Sequence, residues 1–481
     1  MGAHQIKGKK EFRYQTLARQ LAGQIRDGVY AGGAKLPSVN HLSRKLELSR
    51  NTVFRAYVAL EEMGLVTAQP KSGYYVKARP EKRPPVNRQL PVYDVYRDLP
   101  AMADHTRAAI KNPTFVPFGQ ATVSPELYPG RKLAKILKSI STREVEQLIS
   151  YGPIQGNPVL RQQLAERMLG LTDRISPDQI LITNGCMEAV TLSLMAVTRP
   201  GDTIAVESPT YFGYMQILRE LRLSIVEIPT SPQAGLDLDA FETAVDQQKI
   251  SACLTIPNFQ NPLGGIMPDE HKARLIDFTN RRGIPVIEDD VYAELHYGQS
   301  RPGLLQAFDR RDQVMTCSSF SKTLSPGLRI GWVMAAPPLL DRIRQIKFSI
   351  SMMTTSLDQF VLANFMAGNG YDRHLRSLRR SLKKQVCQGA DAVERFFPRG
   401  TATRIPDGGF VLWVRLPDQV DSLTLYKKAL AEGIALLPGA LCSFSGAFRN
   451  HIRISCGFPF NPKIQKGFQR LGDLTRHLMT S

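Results

Sequence analysis

The sequence predicts two folded units of unlike class: a small helical unit at the N-terminus and a large α/β body built on a parallel sheet. Three observations carry this. Residues 1–76 hold twelve basic side chains against five acidic ones. Residues 77–112 then lose apolar periodicity and gather Pro80, Pro84, Pro85, Pro91 and Pro100, the composition of a semi-rigid, partly extended linker. From residue 113 to residue 481, strand-like runs alternate with helical ones, the pattern of a parallel sheet with crossover helices.

Length and composition set the bounds. The 481 residues allow about three domains at ~150 residues each. With 43% hydrophobic and 22% charged residues, the composition excludes a largely disordered chain or a disulfide scaffold. The net charge of +19 calls for acidic partners, nucleic acid first among them. The longest uncharged stretch, 250–268, is interrupted by Pro257, Pro262, Gly264 and Gly265, so it predicts no membrane helix. The N-terminus has no apolar core of a secretory signal, which predicts a cytoplasmic protein. Six cysteines stand singly in apolar segments without a C-x-x-C pair, predicting reduced core thiols and no metal site.

In the N-terminal unit, Leu17, Leu21 and Ile25 recur every four residues and predict an amphipathic helix over 14–27. Ser38 is placed to cap a second helix bearing Val39, Leu42 and Leu46, and Ser49 a third bearing Val53, Tyr57 and Leu60. A tight turn at Glu47 and Leu48 joins them into a helix-turn-helix. The third helix opens on Ser49, Arg50, Asn51 and Thr52, with Arg55 one turn on, presenting hydroxyl, guanidinium and amide groups to a major groove. Residues 65–69 and 74–76 read as strands of a wing around Pro70, Lys71, Ser72 and Gly73. On helix spacing alone, a small solvated bundle explains the pattern equally well.

The body has five junctions where an apolar run ends in polar residues. Strand 179–183 leads through Asn184 and Gly185 into a helix starting near Cys186 and Met187, whose first-turn amides suit a phosphate. Strand 203–207 is followed by Tyr211, placed to stack on a ring. Asn261 precedes Pro262 in an extended turn after strand 253–256. Strand 285–288 ends in Glu288, Asp289 and Asp290, with Tyr292 beyond; three acids at a buried strand end are costly unless a cation is there. Finally, strand 314–318 runs into Ser319, Ser321, Lys322 and Arg329, a candidate Schiff-base lysine among hydroxyls and a guanidinium. Each junction alone also has an ordinary structural reading, as a βα turn, rim packing or a solvated loop lysine.

Two resemblances join these residues. Leu36-Pro37-Ser38, Leu48-Ser49-Arg50-Asn51-Thr52-Val53, Ala56-Tyr57 and Ser72-Gly73 resemble the winged helix-turn-helix of the GntR family of bacterial transcription regulators. That resemblance implies double-stranded DNA as partner, contacted through Ser38, Asn40, Ser49, Arg50, Asn51, Thr52, Arg55, Lys71, Ser72 and Gly73. The family often has Arg where this chain has Asn40. The body resembles fold-type I pyridoxal-phosphate enzymes of the aminotransferase class, with large and small subdomains. This implies pyridoxal 5'-phosphate bound covalently by Lys322, with Asp289 on the pyridinium nitrogen, Asn261 and Tyr292 on the ring oxygen, and Tyr211 on the ring face. It gives the phosphate to Gly185, Cys186, Met187, Ser319, Ser321 and Arg329, and a substrate carboxylate to Arg453. Tyr151 matches a tyrosine that reaches the phosphate of the neighbouring subunit, implying a homodimer. The family usually has small hydroxyl and amide side chains where this chain has Cys186 and Met187.

Together the two parts resemble the MocR subfamily of GntR regulators. The resemblance implies a transcription regulator that senses an amino acid or amine through external aldimine formation at Lys322. A working aminotransferase that carries a DNA-binding head is the alternative, and a regulator with a decayed cofactor site is a third reading. Effector side-chain specificity is expected from loops such as 118–129. One feature stays unassigned: Arg373, Arg376, Arg379, Arg380, Lys383 and Lys384 crowd residues 371–384, either as a solvated face or as a second DNA track.

Overall fold

The computed structural model describes residues 13–26, 30, 33–69, 72–77, 92–94, 108, 112, 114–172 and 175–480. The expected wing-tip residues Pro70 and Lys71 and most of the expected linker lie outside them. The chain divides into two compact units, Met1–Arg88 and Gln89–Ser481.

In the first unit, helices α1 (Arg13–Arg26), α2 (Val39–Leu46) and α3 (Arg50–Glu62) precede a hairpin of β1 (Val66–Gln69) and β2 (Gly73–Val76). Leu17, Leu21, Val53, Ala56, Tyr57, Leu60, Val66 and Val76 are buried in one cluster, so the apolar stripe read from the sequence is the core. Both predicted caps form: Ser38 Oγ accepts from the His41 amide at 3.2 Å and Ser49 Oγ from Thr52 at 3.1 Å. The turn between α2 and α3 places Glu47 in the left-handed region, at φ 54°. Two further bonds fix the geometry. Tyr57 OH donates to the Pro37 carbonyl at 2.6 Å, and the Glu61 carboxylate accepts from the Ala68 amide at 2.8 Å, tying α3 to the wing.

The second unit is built on a sheet of nine strands. These are β3 (Val92–Asp94), β5 (Ile180–Thr183), β6 (Thr203–Ser208), β7 (Ser224–Ser231), β8 (Gly235–Leu236), β9 (Ala252–Thr255), β10 (Val286–Asp289), β11 (Val314–Ser319) and β12 (Gly331–Met334). Their order is β3-β7-β6-β9-β10-β11-β12-β5, with β8 paired to β7. Strands β7, β6, β9, β10 and β11 are parallel, as expected, but β12 is antiparallel to both neighbours. The cause is local. The segment 320–330 between β11 and β12 contains no crossover helix, and a strand that returns without one runs antiparallel. Val92–Asp94, within the expected linker, pairs antiparallel with β7 as an edge strand.

A smaller antiparallel sheet follows, in the order β13 (Ala402–Thr403), β14 (Val411–Arg415), β17 (His451–Ser455) and β16 (Leu437–Pro438). The helices Gly370–Phe396 and Pro462–Thr480 pack against each other beside it. The short strand Ile434–Ala435 pairs with Val116–Pro117 (β15 and β4), which brings residues 118–124 beside β17.

Ser49→Ala removes the acceptor for the Thr52 amide and is expected to cost about 1 kcal/mol of α3 stability. Hydrogen exchange should speed up at the first turn of α3 and stay unchanged in β5–β12.

Candidate functional site

The C-terminal ends of β5, β10 and β11 meet at one place, where ligands of open α/β sheets bind. β10 delivers the three acids in three directions. Glu288 is satisfied by the Thr316 hydroxyl at 2.8 Å and the Leu305 amide at 3.0 Å. Asp290 pairs with Arg301 and accepts from Asn258 Nδ2 at 3.0 Å. The expected cation is therefore supplied to Asp290 by the protein itself. Asp289 is the one aimed at the site, buried and accepting from Tyr214 OH at 2.6 Å and from the Val291 amide at 3.1 Å. Burial pushes its carboxyl above the usual range, and the Tyr214 hydroxyl and Lys322 oppose that rise.

Lys322 follows β11 in the bend before β12. Its Nζ is 5.8 Å from the centroid of the Tyr292 ring and donates to the Ala121 carbonyl at 2.6 Å. Burial, with Arg453 adding positive charge, lowers its pKa from 10.5 to about 8; Asp289 acts the other way. This amine is held nearer its nucleophilic form than a solvated lysine.

Asn261, Tyr292 and Arg453 form one chain of bonds. Asn261 Nδ2 donates to Tyr292 OH at 3.1 Å, and its Oδ1 accepts from Arg453 at 3.1 Å. Burial also drives the Tyr292 phenol well above its ordinary pKa. Arg453 is fully buried on β17 and donates a second bond to the Gly119 carbonyl at 2.5 Å. Its Nε is buried without a partner, and among the described residues no carboxylate pairs with it. A buried guanidinium bonded only to an amide and a carbonyl is suited to receive an anion.

A helix start suited to an anion, a cradle in shape, lies at Cys186–Val197. Gly185 sits at φ 84°, and a Cβ there would meet the Arg329 guanidinium at 2.5 Å. Arg329 donates to the Asn184 carbonyl at 2.9 Å, closing the β11–β12 bend onto this turn. A Cβ on Gly331 would stand 2.5 Å from the Gly185 carbonyl carbon and 2.8 Å from the Cys186 amide nitrogen, so glycine keeps the cradle backbone in place. Ser319 is buried and accepts from the Ser321 amide at 3.3 Å. The Cys186 thiol is buried near the Asp289 carboxylate; burial and that neighbour push its pKa well above normal. Met187 is half-buried. Tyr211 stands edge-on to Phe212 and Tyr214 at ring distances of 5.4 and 5.3 Å.

Tyr151 is 84% exposed, and its neighbour Ile149 is 80% exposed. In the first unit, Ser38, Asn40, Ser49, Arg50, Asn51, Arg55 and Gly73 are exposed and Thr52 is half-buried, its hydroxyl 2.8 Å from Ser49 Oγ. Arg55 stacks over the Tyr14 ring at 5.4 Å, and Ser72 bonds the Tyr75 hydroxyl at 2.7 Å. Lys71 lies outside the described residues.

These residues fit a phosphorylated aromatic aldehyde: an amine of depressed pKa, a carboxylate for a ring nitrogen, donors for a ring oxygen, and a glycine-bounded helix start for a phosphate.

Comparison with known proteins agrees. Residues 127–460 match the family described as aminotransferase class I and II, which typically uses pyridoxal phosphate, and residues 13–76 match bacterial regulatory proteins, gntR family. The chain belongs to the gntR-type regulators with an aminotransferase body. An uncharacterized HTH-type transcriptional regulator of Escherichia coli, YjiR, is 36% identical over 97% of this chain and 99% of its own length. A second, YdcR from the same organism, is 36% identical over 96% and 98%. These full-length matches are consistent with the MocR subfamily. Among solved structures, LysN, the α-aminoadipate aminotransferase of Thermus thermophilus complexed with N-(5'-phosphopyridoxyl)-L-leucine, matches with TM-score 0.72 at 28% identity. It covers 78% of this chain and 97% of that one. The kynurenine aminotransferase of Pyrococcus horikoshii matches with TM-score 0.74 at 25% identity, covering 80% and 96%. Among the described residues of the MocR-like chain no helix is long and apolar enough to cross a membrane.

Several contributors carry little or no signal in the sequence. Tyr214 holds Asp289, yet its signal was only an aromatic at the start of a helix. Glu188 folds back to accept from the Asn184 amide at 2.5 Å and pairs with the buried Lys347 at 3.3 Å, bracing the cradle from below. The carbonyls of Gly119 and Ala121 carry no side-chain signature at all.

With a pKa near 8, Lys322 in the cofactor-free protein gains its neutral form between about pH 7 and 9, whereas a solvated lysine does so above pH 10. Acylation of Lys322 followed by peptide mass spectrometry should rise with a midpoint near pH 8.

Proposed function

We propose that the chain is a cytoplasmic, homodimeric transcription regulator that holds pyridoxal 5'-phosphate at Lys322 and senses an amino acid or another amine there. The observation that carries the reading is Arg453: a fully buried guanidinium with an unpartnered Nε, bonded to Asn261 and standing 6.0 Å from the Phe212 ring. It is the feature of the site that a carboxylate-bearing amine satisfies.

When bound, the cofactor supplies a carbonyl that condenses with amines and a ring that withdraws electrons from the attached carbon. This chain's residues do the rest. Asp289 holds a proton on the ring nitrogen, kept in place by Tyr214. Asn261 and Tyr292 hold the ring oxygen, Tyr211 covers the ring face, and Gly185, Cys186, Met187, Ser319, Ser321 and Arg329 bind the phosphate. The Cys186 contribution is its backbone amide, at the start of the helix Cys186–Val197. Tyr151, with its exposed apolar neighbour, serves the partner subunit's phosphate. With the cofactor bound, an amine effector would compete with the Lys322 amine for the cofactor's carbonyl, and Arg453 would hold the effector's carboxylate as a bidentate pair. Ser38, Asn40, Ser49, Arg50, Asn51, Thr52, Arg55, Lys71, Ser72 and Gly73 contact DNA. Differential affinity of the effector for two arrangements of the body then alters DNA binding.

The presence of Lys322, Asp289 and Arg453 together also supports a second reading, transamination by the same site. Absorbance titration of the holo-protein with a panel of amino acids and amines separates them: a stable spectral shift without keto-acid turnover is expected, and sustained turnover at metabolic rates contradicts the regulator. Arg453→Gln should raise the apparent Kd for α-amino acids about tenfold or more, by loss of a charge-assisted bidentate pair, and leave carboxylate-free amines nearly unaffected. An equal loss for both ligand classes contradicts the role given to Arg453.

A further inference from the structure

The helix Gly370–Phe396 carries a stripe of cations that the cofactor site does not use. Arg373, Arg376, Arg380, Lys383 and Lys384 are all exposed. At 3.6 residues per turn their spacing places them within about 100° of arc, along about 16 Å of helix axis. Arg379, just off that arc, turns inward instead. It donates to Glu294 and is spent on the buried cluster that Glu294 forms with Arg167 and Arg301.

Among the described residues no ion pair neutralises a member of the stripe, and Arg373 bonds only to the Asn369 carbonyl, at 3.2 Å. Asp372 lies beside it but pairs with Arg167 at 2.8 Å. The next acids on the same face, Asp391 and Glu394, come two turns later and end the stripe. A second basic helix, Gly130–Lys138, bears Arg131, Lys132, Lys135 and Lys138 without an acid, and Lys132 is near enough to His374 to add to the lowering of that imidazole's pKa by burial. Five like charges on one face repel one another, so the stripe destabilises the free protein slightly and calls for an anionic partner.

We infer that the stripe Arg373–Lys384 is a second DNA contact, taking the phosphate backbone of duplex beyond the site that the head reads. Duplex DNA carries one negative charge per about 1.7 Å of axis, so the stripe's length faces roughly ten phosphate charges. Flexible Arg and Lys side chains on a convex helix face suit backbone contact and not base reading. The inference rests on the reading of the N-terminal unit as a DNA binder. It goes beyond that reading by giving the aminotransferase-like body a nucleic-acid surface of its own and by accounting for five units of the body's positive charge.

The test uses the full-length holo-protein and random-sequence duplexes of about 20 bp, little more than two half-sites one turn apart, and about 60 bp. Affinity is measured across a sodium chloride series. The variant Arg376→Gln/Arg380→Gln/Lys383→Gln/Lys384→Gln should reduce the slope of log K against log salt on the long duplex by about 3.6, at about 0.9 for each of the four lost contacts. It should leave the short duplex unchanged. A control, Arg310→Gln/Arg311→Gln/Lys427→Gln/Lys466→Gln, removes the same charge from other exposed positions and should move the slope by less than one. Equal melting and cofactor absorbance in all three proteins establish that they are folded. An unchanged slope for the stripe variant on the long duplex overturns the inference, as does an equal change for the control, and so does a loss confined to anionic lipid vesicles. Arg50→Ala separates the two claims: it should weaken binding to both duplexes, and if it affects neither, the DNA reading of the head itself fails.

Discussion

A carboxylate buried at the end of a parallel strand organises this body. Asp289 sits where desolvation raises its pKa, and it stays useful only because Tyr214 and the Val291 amide donate to it and Lys322 lies within its field. The same field keeps Lys322 from losing its proton entirely, while burial and Arg453 lower its pKa to about 8. Neither residue has its character alone. The chain Tyr292–Asn261–Arg453–Gly119 then holds the Arg453 guanidinium in place relative to Tyr292. Such mutual support is what preorganises a site before its ligand arrives.

The bend that holds Lys322 is also the point where the site grips the small sheet's helices. The residue after it, Thr323, accepts at its carbonyl from His374 at 2.6 Å and meets the Tyr371 hydroxyl at 2.9 Å through its own hydroxyl. Both belong to the helix Gly370–Phe396, whose outer face bears the cation stripe. Arg329 ties the other end of the bend to Asn184, just before the helix Cys186–Val197. Lys322 is therefore one residue from Thr323, which bonds the buried side of this helix, and seven from Arg329, which bonds the turn at Asn184. By linkage, any difference that a bound effector makes to this helix is matched by an equal effect of the helix's own partner on effector affinity.

The head was nearly readable in full from the sequence, because its signals are local. Ser38 and Ser49 cap, Glu47 turns, and Leu17, Leu21, Val53 and Leu60 face inward at helical spacing. In the body, the residues at strand ends were legible for the same reason: Asp289, Asn261 and Lys322 follow apolar runs. The antiparallel β12 was missed because strand direction depends on the absence of a helix in 320–330, which apolar periodicity does not report. The fates of the three neighbouring acids were equally hidden. Glu288, Asp289 and Asp290 look alike in sequence, and only Thr316, Tyr214 and Arg301, supplied from distant segments, distinguish them. Backbone acceptors such as Ala121 leave no mark on a sequence.

The proposed coupling runs from amine chemistry at Lys322 to DNA binding. The direct measurement is the affinity of the holo-protein for a duplex selected from random sequence, with and without the amine that shifts its absorbance, in wild type and Lys322→Ala. The amine is expected to change wild-type affinity by about 1–3 kcal/mol, some five- to 150-fold, and to leave Lys322→Ala unchanged. Equal affinities with and without the amine in the wild type, despite a full spectral shift, would contradict it.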